Sequence, residues 1–564
     1  MAGVVALALA ACGGGGGSSS GGSVPTTLTG TAAAGAPIIG TVTIKDSTAP
    51  VAKTKTVTIE ADGKYTVDVS DLVAPYMVRA DGRVGGNQYH LYSAATAEDV
   101  GGTINITPLT DLIVANIAGS VAQTYFDKGD FSSLTATQLK TQSDALAAKL
   151  APILTAVGVS GSIDLLRASF STDHTGLDAA LDILRVSTDT STNVATITNI
   201  VTQQKMTANI STGTYSGELT DTTGVATAAT DIQKISSGFK KFSDLFAKGL
   251  PSETNPTLLA LFDAETFLEG GQDRDSFLSE ITTDPSMVGI SFTNITIKSM
   301  EMATSTALVG FTVFQHGAQM SDAPEAWYMI KRDGAWYMQG DQRVAGVEIE
   351  PRAEYHMSES GNPITTGLMV DINDRGGRNI TRAVVTGAGL PAGGVTLVNN
   401  IERDYFEIVG QNNGNHYAMT DAAINEIAES GEVYTAKLYD ASGLVATYTV
   451  TLGKRPYLAS ELTVAKFPVI TTPTLAELRT FVGGAATVAW TMPEGLSNDW
   501  LDVGINDNAG NSAIFEAELL PADTSKSFTL DPVTSTGQHF TVTGGWLWLT
   551  GYDSDGRMLS TAMW

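Results

Sequence analysis

Apolar and polar positions change their period several times along the chain, and each change marks a unit. From Thr26 to about Thr107 the segments TVTIKD, KTVTIEA and KYTVDV alternate apolar with polar residues and are rich in Val, Ile and Thr. That is the signature of strands with one face buried. Ala61-Asp62-Gly63-Lys64-Tyr65 reads as the hairpin turn between two of them, with Asp-Gly supplying the positive φ. At Thr107-Pro108 the period becomes helical: Thr107 is a candidate N-cap and Pro108 fits the first turn. Leu139, Leu146, Leu150, Ile153 and Leu154 form a stripe near period 3.6, which predicts a second helix over about 136–157. A short helix at Leu177–Leu184 and a ribbon through VATITNIVT and KMTANIS follow. Residues 211–231, rich in Thr, Gly and Ala without clear periodicity, read as a linker.

The next unit, about 232–345, has helical patterns at Ile232–Leu250, Pro256–Phe262 and Arg274–Thr282. Three strand patterns come after them: NITIKSMEMA, TALVGFTVFQH and AWYMIKRDGAWYMQGDQ. The last is a hairpin about Arg332-Asp333-Gly334 whose arms alternate Trp327, Met329 and Trp336, Met338. From 346 onward short strand patterns recur with Gly, Asn and Asp turns, as expected of two sandwiches with a seam at Arg455-Pro456. The helical TDAAINEIAESG is an insertion in the first of them.

The expected fold is therefore multidomain and mainly β, with β-sandwiches flanking a helical segment and a central α+β domain. The units are 1–25, 26–107, 108–231, 232–345, 346–455 and 456–564. Three resemblances sharpen this. The run GTAAAGAPIIGTVTIKD…VTIEADGKYTVDVSDLVAPYMVRADG resembles the carboxypeptidase-regulatory-like, transthyretin-like β-sandwich of bacterial surface lipoproteins, which implies a spacer or binding scaffold over about eighty residues. The succession ITPLTDLIVAN…LDAALDILRVSTDTSTNVATITN looks like the region that follows it in such proteins. Helices ahead of a meander that ends in a W-x-x-x-x-x-x-G-x-W hairpin resemble the NTF2-like cone, and the last two stretches resemble Ig-like or fibronectin-like sandwiches.

Composition narrows the function. The chain has 564 residues, a hydrophobic fraction of 43% and 33 Lys+Arg against 60 Asp+Glu, a net charge of −27. The apolar fraction suffices for real cores. Bases are too scarce for an electrostatic grip on nucleic acid, so no nucleic-acid partner is expected. The one cysteine excludes a disulfide framework and any Cys-based zinc or iron–sulfur site. Cys12 follows the short apolar run GVVALALAA, and Leu9-Ala10-Ala11-Cys12 resembles the lipobox of bacterial lipoproteins, although the basic residues usual before such a run are missing. That resemblance implies a diacylated Cys12, a Gly/Ser tether in GGGGGSSSGGS, and an outer-membrane lipoprotein facing the periplasm or the cell surface.

Candidate chemistry is sparse. Gly387-Ala388-Gly389-Leu390-Pro391-Ala392 mimics a dinucleotide fingerprint, but Pro391 and a following strand forbid the helix that the fingerprint needs, so a β-turn is expected. No GxxxxGK[ST] or HExxH motif and no cofactor signature occurs. Of the six histidines, no two stand at i, i+2 or i, i+4. His316, ending a predicted strand of the cone, is the candidate general base or acid, with Asp322 and Glu325 to orient it. Aspartate-rich turns at Asp371–Asp374, Asp502–Asn508 and above all Asp553-Ser554-Asp555-Gly556 offer oxygen ligands for Ca²⁺, though simple hairpin chemistry explains them as well. Trp546 and Trp548 share one face of a strand; they form either a sugar-stacking platform or part of a core. The expected function is binding, adhesion or structural presentation at the cell envelope, with the membrane and an extracellular protein or glycan as partners. The alternatives are a small-molecule or catalytic pocket in 232–345 and glycan binding by a C-terminal sandwich.

Overall fold

A computed structural model describes residues 26–564, apart from 132–133, 316–317, 320–324, 359–360, 401–404, 412–413, 521 and 535–536. Cys12, His316 and Asp322 lie outside the described residues, and Glu325 is described in its backbone alone. The chain is mainly β, with 42% strand and 20% helix.

The first unit is two packed sheets. Strands β1 (Thr27–Thr31) and β4 (Lys64–Asp68) pair with each other, while β2 (Ile39–Lys45), β3 (Thr54–Thr58), β5 (Tyr76–Val84) and β6 (Asn87–Ala95) form a second sheet in the order β3-β2-β5-β6. Leu28, Val42, Ile44, Tyr65, Val67, Val78 and Ala80 close the core between them. The Asp62-Gly63 turn forms, with Gly63 at φ 82°. It is not a hairpin, however: β3 and β4 diverge from it into the two different sheets.

Helix α1 (Pro108–Ala118) is capped by Thr107, whose hydroxyl accepts the Thr110 N–H at 3.2 Å. Helices α2 (Ala122–Lys128), α3 (Ala136–Ala156) and α4 (Gly176–Ile183) follow. Next come β7 (Leu184–Asp189), β8 (Val194–Asn199), β9 (Lys205–Asn209) and β10 (Thr214–Ser216), a four-stranded meander. The expected linker over 211–231 is corrected by the structure. Its start is β10, Leu219 is fully buried, and α5 (Val225–Phe246) begins seven residues earlier than Ile232. Val225, Ala228, Ala229, Ile232, Ile235, Phe239, Phe242 and Phe246 form one buried stripe whose first turns are small residues, which is why composition alone hid it.

The central unit adds α6 (Pro256–Leu259), α7 (Arg274–Thr283) and the strands β11 (Ser291–Glu301), β12 (Thr306–Gln315), β13 (Ala318–Gln319), β14 (Glu325–Arg332) and β15 (Ala335–Gly340). They form a sheet in the order β11-β12-β14-β15, with β13 on β12. The Asp333-Gly334 hairpin turn has φ 51° and 80°, as its sequence requires. One hydrophobic core runs continuously from the helical segment into this unit, from Leu109 through Phe239 to Met338.

The remaining strands are β16 (Gly346–Met357), β17 (Ile364–Asn373), β18 (Arg382–Thr386), β19 (Val395–Asn400), β20 (Tyr405–Ile408), β21 (His416–Ala418), β22 (Glu432–Asp440) and β23 (Gly443–Leu452). After them come β24 (Val469–Thr472), β25 (Gly484–Thr491), β26 (Leu496–Asn506), β27 (Ser512–Glu518), β28 (Ser525–Leu530), β29 (Gly544–Asp553) and β30 (Met558–Met563); the short helices α8 (Asp421–Ile424) and α9 (Leu475–Thr480) interrupt the series. The two expected sandwiches have separate cores but are not closed separately. A single seven-stranded sheet, β21-β17-β16-β30-β29-β26-β27, runs through both, joined where β30 lies parallel to β16 with Arg352 opposite Met558 and Met357 opposite Met563. The sheet β20-β19-β18-β22-β23 packs on the Val347, Ile349, Leu368 and Val370 side of it. The sheet β24-β25-β28 packs on the Leu501, Val503, Leu547, Leu549 and Met563 side. Register makes these one and the same face, because residues paired directly across a ladder share a face. Arg455, at the expected seam, is held by Glu429 and Glu461 at 2.8 and 2.9 Å.

Candidate functional site

The two hydrophobic cores leave the other face of the seven-stranded sheet to mostly polar side chains. It is built by strict alternation in β16: Val347, Ile349 and Ala353 point to the cores, and Glu348, Glu350, Arg352, Glu354 and His356 point away. The pairings place Met369 and Asp371 of β17, His416 of β21, Trp548 and Tyr552 of β29, and Asp502 and Glu516 of β26 and β27 on the same polar side. Glu348 and Glu516 are exposed, while Glu350, Asp502, Trp546, Trp548 and Tyr552 are half-buried. Trp564, adjoining the end of β30, is 42% exposed.

Two kinds of carboxylate sit there. Glu354 is buried among cations and imidazoles: Arg352 Nε is 2.7 Å from Oε1, and His356 Nε2 and His416 Nδ1 each lie 3.1 Å from Oε2. Burial pushes this carboxyl up, but Arg352 and the two rings outweigh it and hold it well below the usual range. Both ring nitrogens of His416 are buried without a well-aligned hydrogen bond. Glu350, Asp499 and Asp502 behave oppositely. Burial pushes Glu350 up to about 7, against the Tyr552 hydroxyl that donates to it at 2.8 Å and with the help of Glu348 and Asp499. Asp499 rises to about 7 through burial and the charge of Glu518. Asp502 rises to about 6 through burial and Glu516, although Trp546 Nε1 donates to it at 3.1 Å.

The tryptophans expected as either platform or core are neither fully exposed nor in the core; Leu547 and Leu549 take the core side of β29. Trp546 lies flat across the backbone at Gly504, where an added Cβ would come within 2.0 Å of the indole. Trp548 joins a cluster with Trp564 (centroids 6.1 Å apart, planes at 25°) and His356, and the Arg352 guanidinium lies over its ring at 5.2 Å.

The other expected sites do not assemble. Asp553 and Asp555 hold Arg557 at 2.9 and 3.0 Å, and Tyr457 donates to Asp553 at 2.7 Å, the hairpin chemistry that was the simpler reading of this turn. Asp374 accepts the backbone N–H of Arg378 and Ile380, and Asp507 those of Ala509 and Asn511, which is ordinary turn chemistry. Gly387 and Leu390 close the turn between β18 and β19, as expected. One face of the β11–β15 sheet is covered by Phe239, Phe242, Phe262, Phe292, Phe311 and Trp327, with Met329 and Met338 at 1% and 0% exposure. Where the alternative reading placed a ligand pocket, these side chains form a packed aromatic core.

Sequence reasoning missed β16 altogether. The signal was there, in the alternation of GVEIEPRAEYHM, but Pro351 argues against a central strand. In the fold Pro351 falls just before the ladder to β30 begins at Arg352. His416 and Glu354 meet only through the tertiary register. A second cluster escaped as well: His174, Asp178 and Asp182 bring their donor atoms within 4.8 Å of one another, the one such group among the described residues.

No family model matches the chain, and no curated protein matches it. Among solved structures, the chain is similar to a tetra-tandem repeat in the extending region of a large adhesion protein, at 11% identity over 96% of this chain and 98% of that one, with a TM-score of 0.12. It is also similar to a 1.5-MDa bacterial ice-binding adhesin (13% identity, 39% and 63% covered, TM-score 0.12) and to the FN1–FN3 domains of chicken CNTN1 (8%, 48% and 96%, TM-score 0.12). At these scores none superposes on the chain as a common fold.

Proposed function

We propose that the chain is a lipid-anchored binding protein of the bacterial cell envelope, held at the outer membrane through Cys12, and that the polar face of the seven-stranded sheet is its binding surface. In this reading residues 26–107 act as the spacer that the carboxypeptidase-regulatory-like resemblance implies. The observation that carries it is the crowd of exposed and half-buried carboxylates, Glu348, Glu350, Asp499, Asp502 and Glu516, beside Trp546, with Arg352 already spent on Glu354. Carboxylates crowded until burial raises them favour a ligand that brings positive charge, so the preferred partner is a Lys- or Arg-rich protein segment. The indole laid flat over Gly504 beside the Asp502 carboxylate supports a second reading, a glycan stacked on Trp546.

Titrating the chain with a Lys-rich peptide and with neutral oligosaccharides, read by tryptophan fluorescence and calorimetry, separates the two. The first reading expects peptide binding that weakens with salt and falls at least tenfold in the variant Glu350→Gln/Asp499→Asn/Asp502→Asn; unchanged affinity in that variant overturns it. The second expects oligosaccharide binding lost in Trp546→Ala. The anchor is tested separately: Cys12→Ser is expected to move the protein from the membrane fraction to the soluble one.

A further inference from the structure

The group His174, Asp178 and Asp182 gathers on α4 and the turn that leads into it: His174 precedes the N-cap Thr175, and Asp178 and Asp182 lie within the helix. The spacing of four puts Asp178 and Asp182 on one side of the helix, and the left-handed turn at His174 brings its imidazole to the same side. Asp178 and Asp182 are 0% and 1% exposed, and the His174 side chain is 12% exposed. His174 Nδ1 stands 2.9 Å from Asp182 Oδ2, and the backbone N–H of His174 donates to Asp178 Oδ2 at 2.7 Å. The second oxygen of each aspartate, Oδ1, is fully buried and has no hydrogen-bond partner. Two carboxylates thus carry into the interior two acceptor atoms that nothing in the protein satisfies, an arrangement that costs free energy unless a cation or a proton joins it.

Among the described residues no donor reaches those two atoms. Arg185, a few residues on, spends its guanidinium on the carbonyls of Leu181, Asp182, Leu184 and Ile297. Gln233 of α5 donates to the carbonyl of His174, not to a carboxylate. Gly35 backs directly onto the cluster, and a Cβ there would stand 3.1 Å from Asp182 Oδ1. Burial together with the neighbouring Asp182 charge pushes Asp178 up to about 7.

We propose that His174, Asp178 and Asp182 form a site for a divalent transition-metal cation, zinc or manganese, which ties α4 to the turn at His174 that leads into it. One imidazole and two carboxylates suit these ions. A separation of 2.9 Å between Nδ1 and Oδ2 is close to that of cis ligands about a six-coordinate ion at roughly 2.1 Å, and a tetrahedral ion would need the pair to open to about 3.4 Å once it replaces the proton between them. Three protein ligands leave at least one position for water. The site would stabilise the fold where the first sandwich, the helical segment and α5 meet.

The full chain, stripped with chelator, is titrated with ZnCl₂ and separately with MnCl₂, and bound metal and thermal midpoint are both measured. Because His356 and His416 offer zinc other nitrogens, the comparison is between variants. The expected result is that Asp178→Asn and His174→Asn each bind one equivalent less than the parent and lose its metal-dependent rise in midpoint, while His416→Gln keeps both. Asparagine tolerates the left-handed backbone that His174 adopts at φ 59°, so that variant tests the ligand and not the turn. Equal stoichiometry and equal midpoint shifts in parent and variants, or no metal bound by the parent, overturn the site.

Discussion

The sheet of the central unit and the seven-stranded sheet of the C-terminal region solve the same problem in opposite ways. Both are antiparallel for most of their extent, and both carry tryptophan on a strand near the middle of the sheet. In the central unit Trp327 touches the rings of Phe239, Phe262, Phe267, Phe277, Phe292 and Phe311, so that face is consumed by its own core. In the C-terminal region both cores sit on one face, and the tryptophans are left on the other among carboxylates. A resemblance to a pocket-bearing cone therefore says little about a pocket, because side-chain volume decides whether the concavity survives. Function is better sought where alternation leaves a face to polar side chains.

The contrast can be broken at its strongest point by Trp327→Ala. Removing a ring that six others touch is expected to cost about 3–5 kcal/mol in denaturant unfolding. A cost below about 1 kcal/mol would mean that the rings do not form a packed core. A smaller effect separates the two kinds of carboxylate on β16. Glu354→Gln strips Arg352 and two imidazoles of their counter-charge and is expected to destabilise by roughly 3 kcal/mol at pH 8. Glu354 is held below its unfolded value, so its contribution is present above about pH 4.3 and fades as pH falls further. Glu350→Gln, four residues away, is expected to act in the opposite direction and more weakly. Its folded pKa of about 7 exceeds the unfolded value, so stability falls as pH rises from about 4.3 to 7. The variant should therefore melt a few degrees higher than the parent at pH 8 and coincide with it at pH 4. Thermal midpoints across that range check both signs.

Much of the secondary structure is legible because its signals are local. The Thr107-Pro108 cap, the Asp333-Gly334 turn and the stripes of α3 and α5 from Ile232 onward need only neighbours in sequence. What escaped depends on partners far along the chain. Whether β3 and β4 form a hairpin, and whether β16 exists despite Pro351, is decided by pairing with strands that no local window contains. The same holds for the site. Trp546 and Trp548 could be singled out from their alternation, but the flat seat of Trp546 depends on Gly504, which is 42 residues away and meaningful only in register. Glu354, His356 and His416 are unremarkable one by one, and their meeting across β17 is what makes them a network.

The parallel contact of β16 with β30 has a consequence for how the protein is made. Strand β16 begins at residue 346, and its partner is not complete until residue 563. During synthesis the first C-terminal core can gather, but the sheet beneath it keeps a raw edge on β16 until more than two hundred further residues have emerged. An open edge with a full set of unpaired N–H and C=O groups is a template for the wrong strand. The stretch that waits is Arg352–Met357, and Arg352 and Glu354 place charge on it, one of the ways an open strand is kept from pairing with another chain.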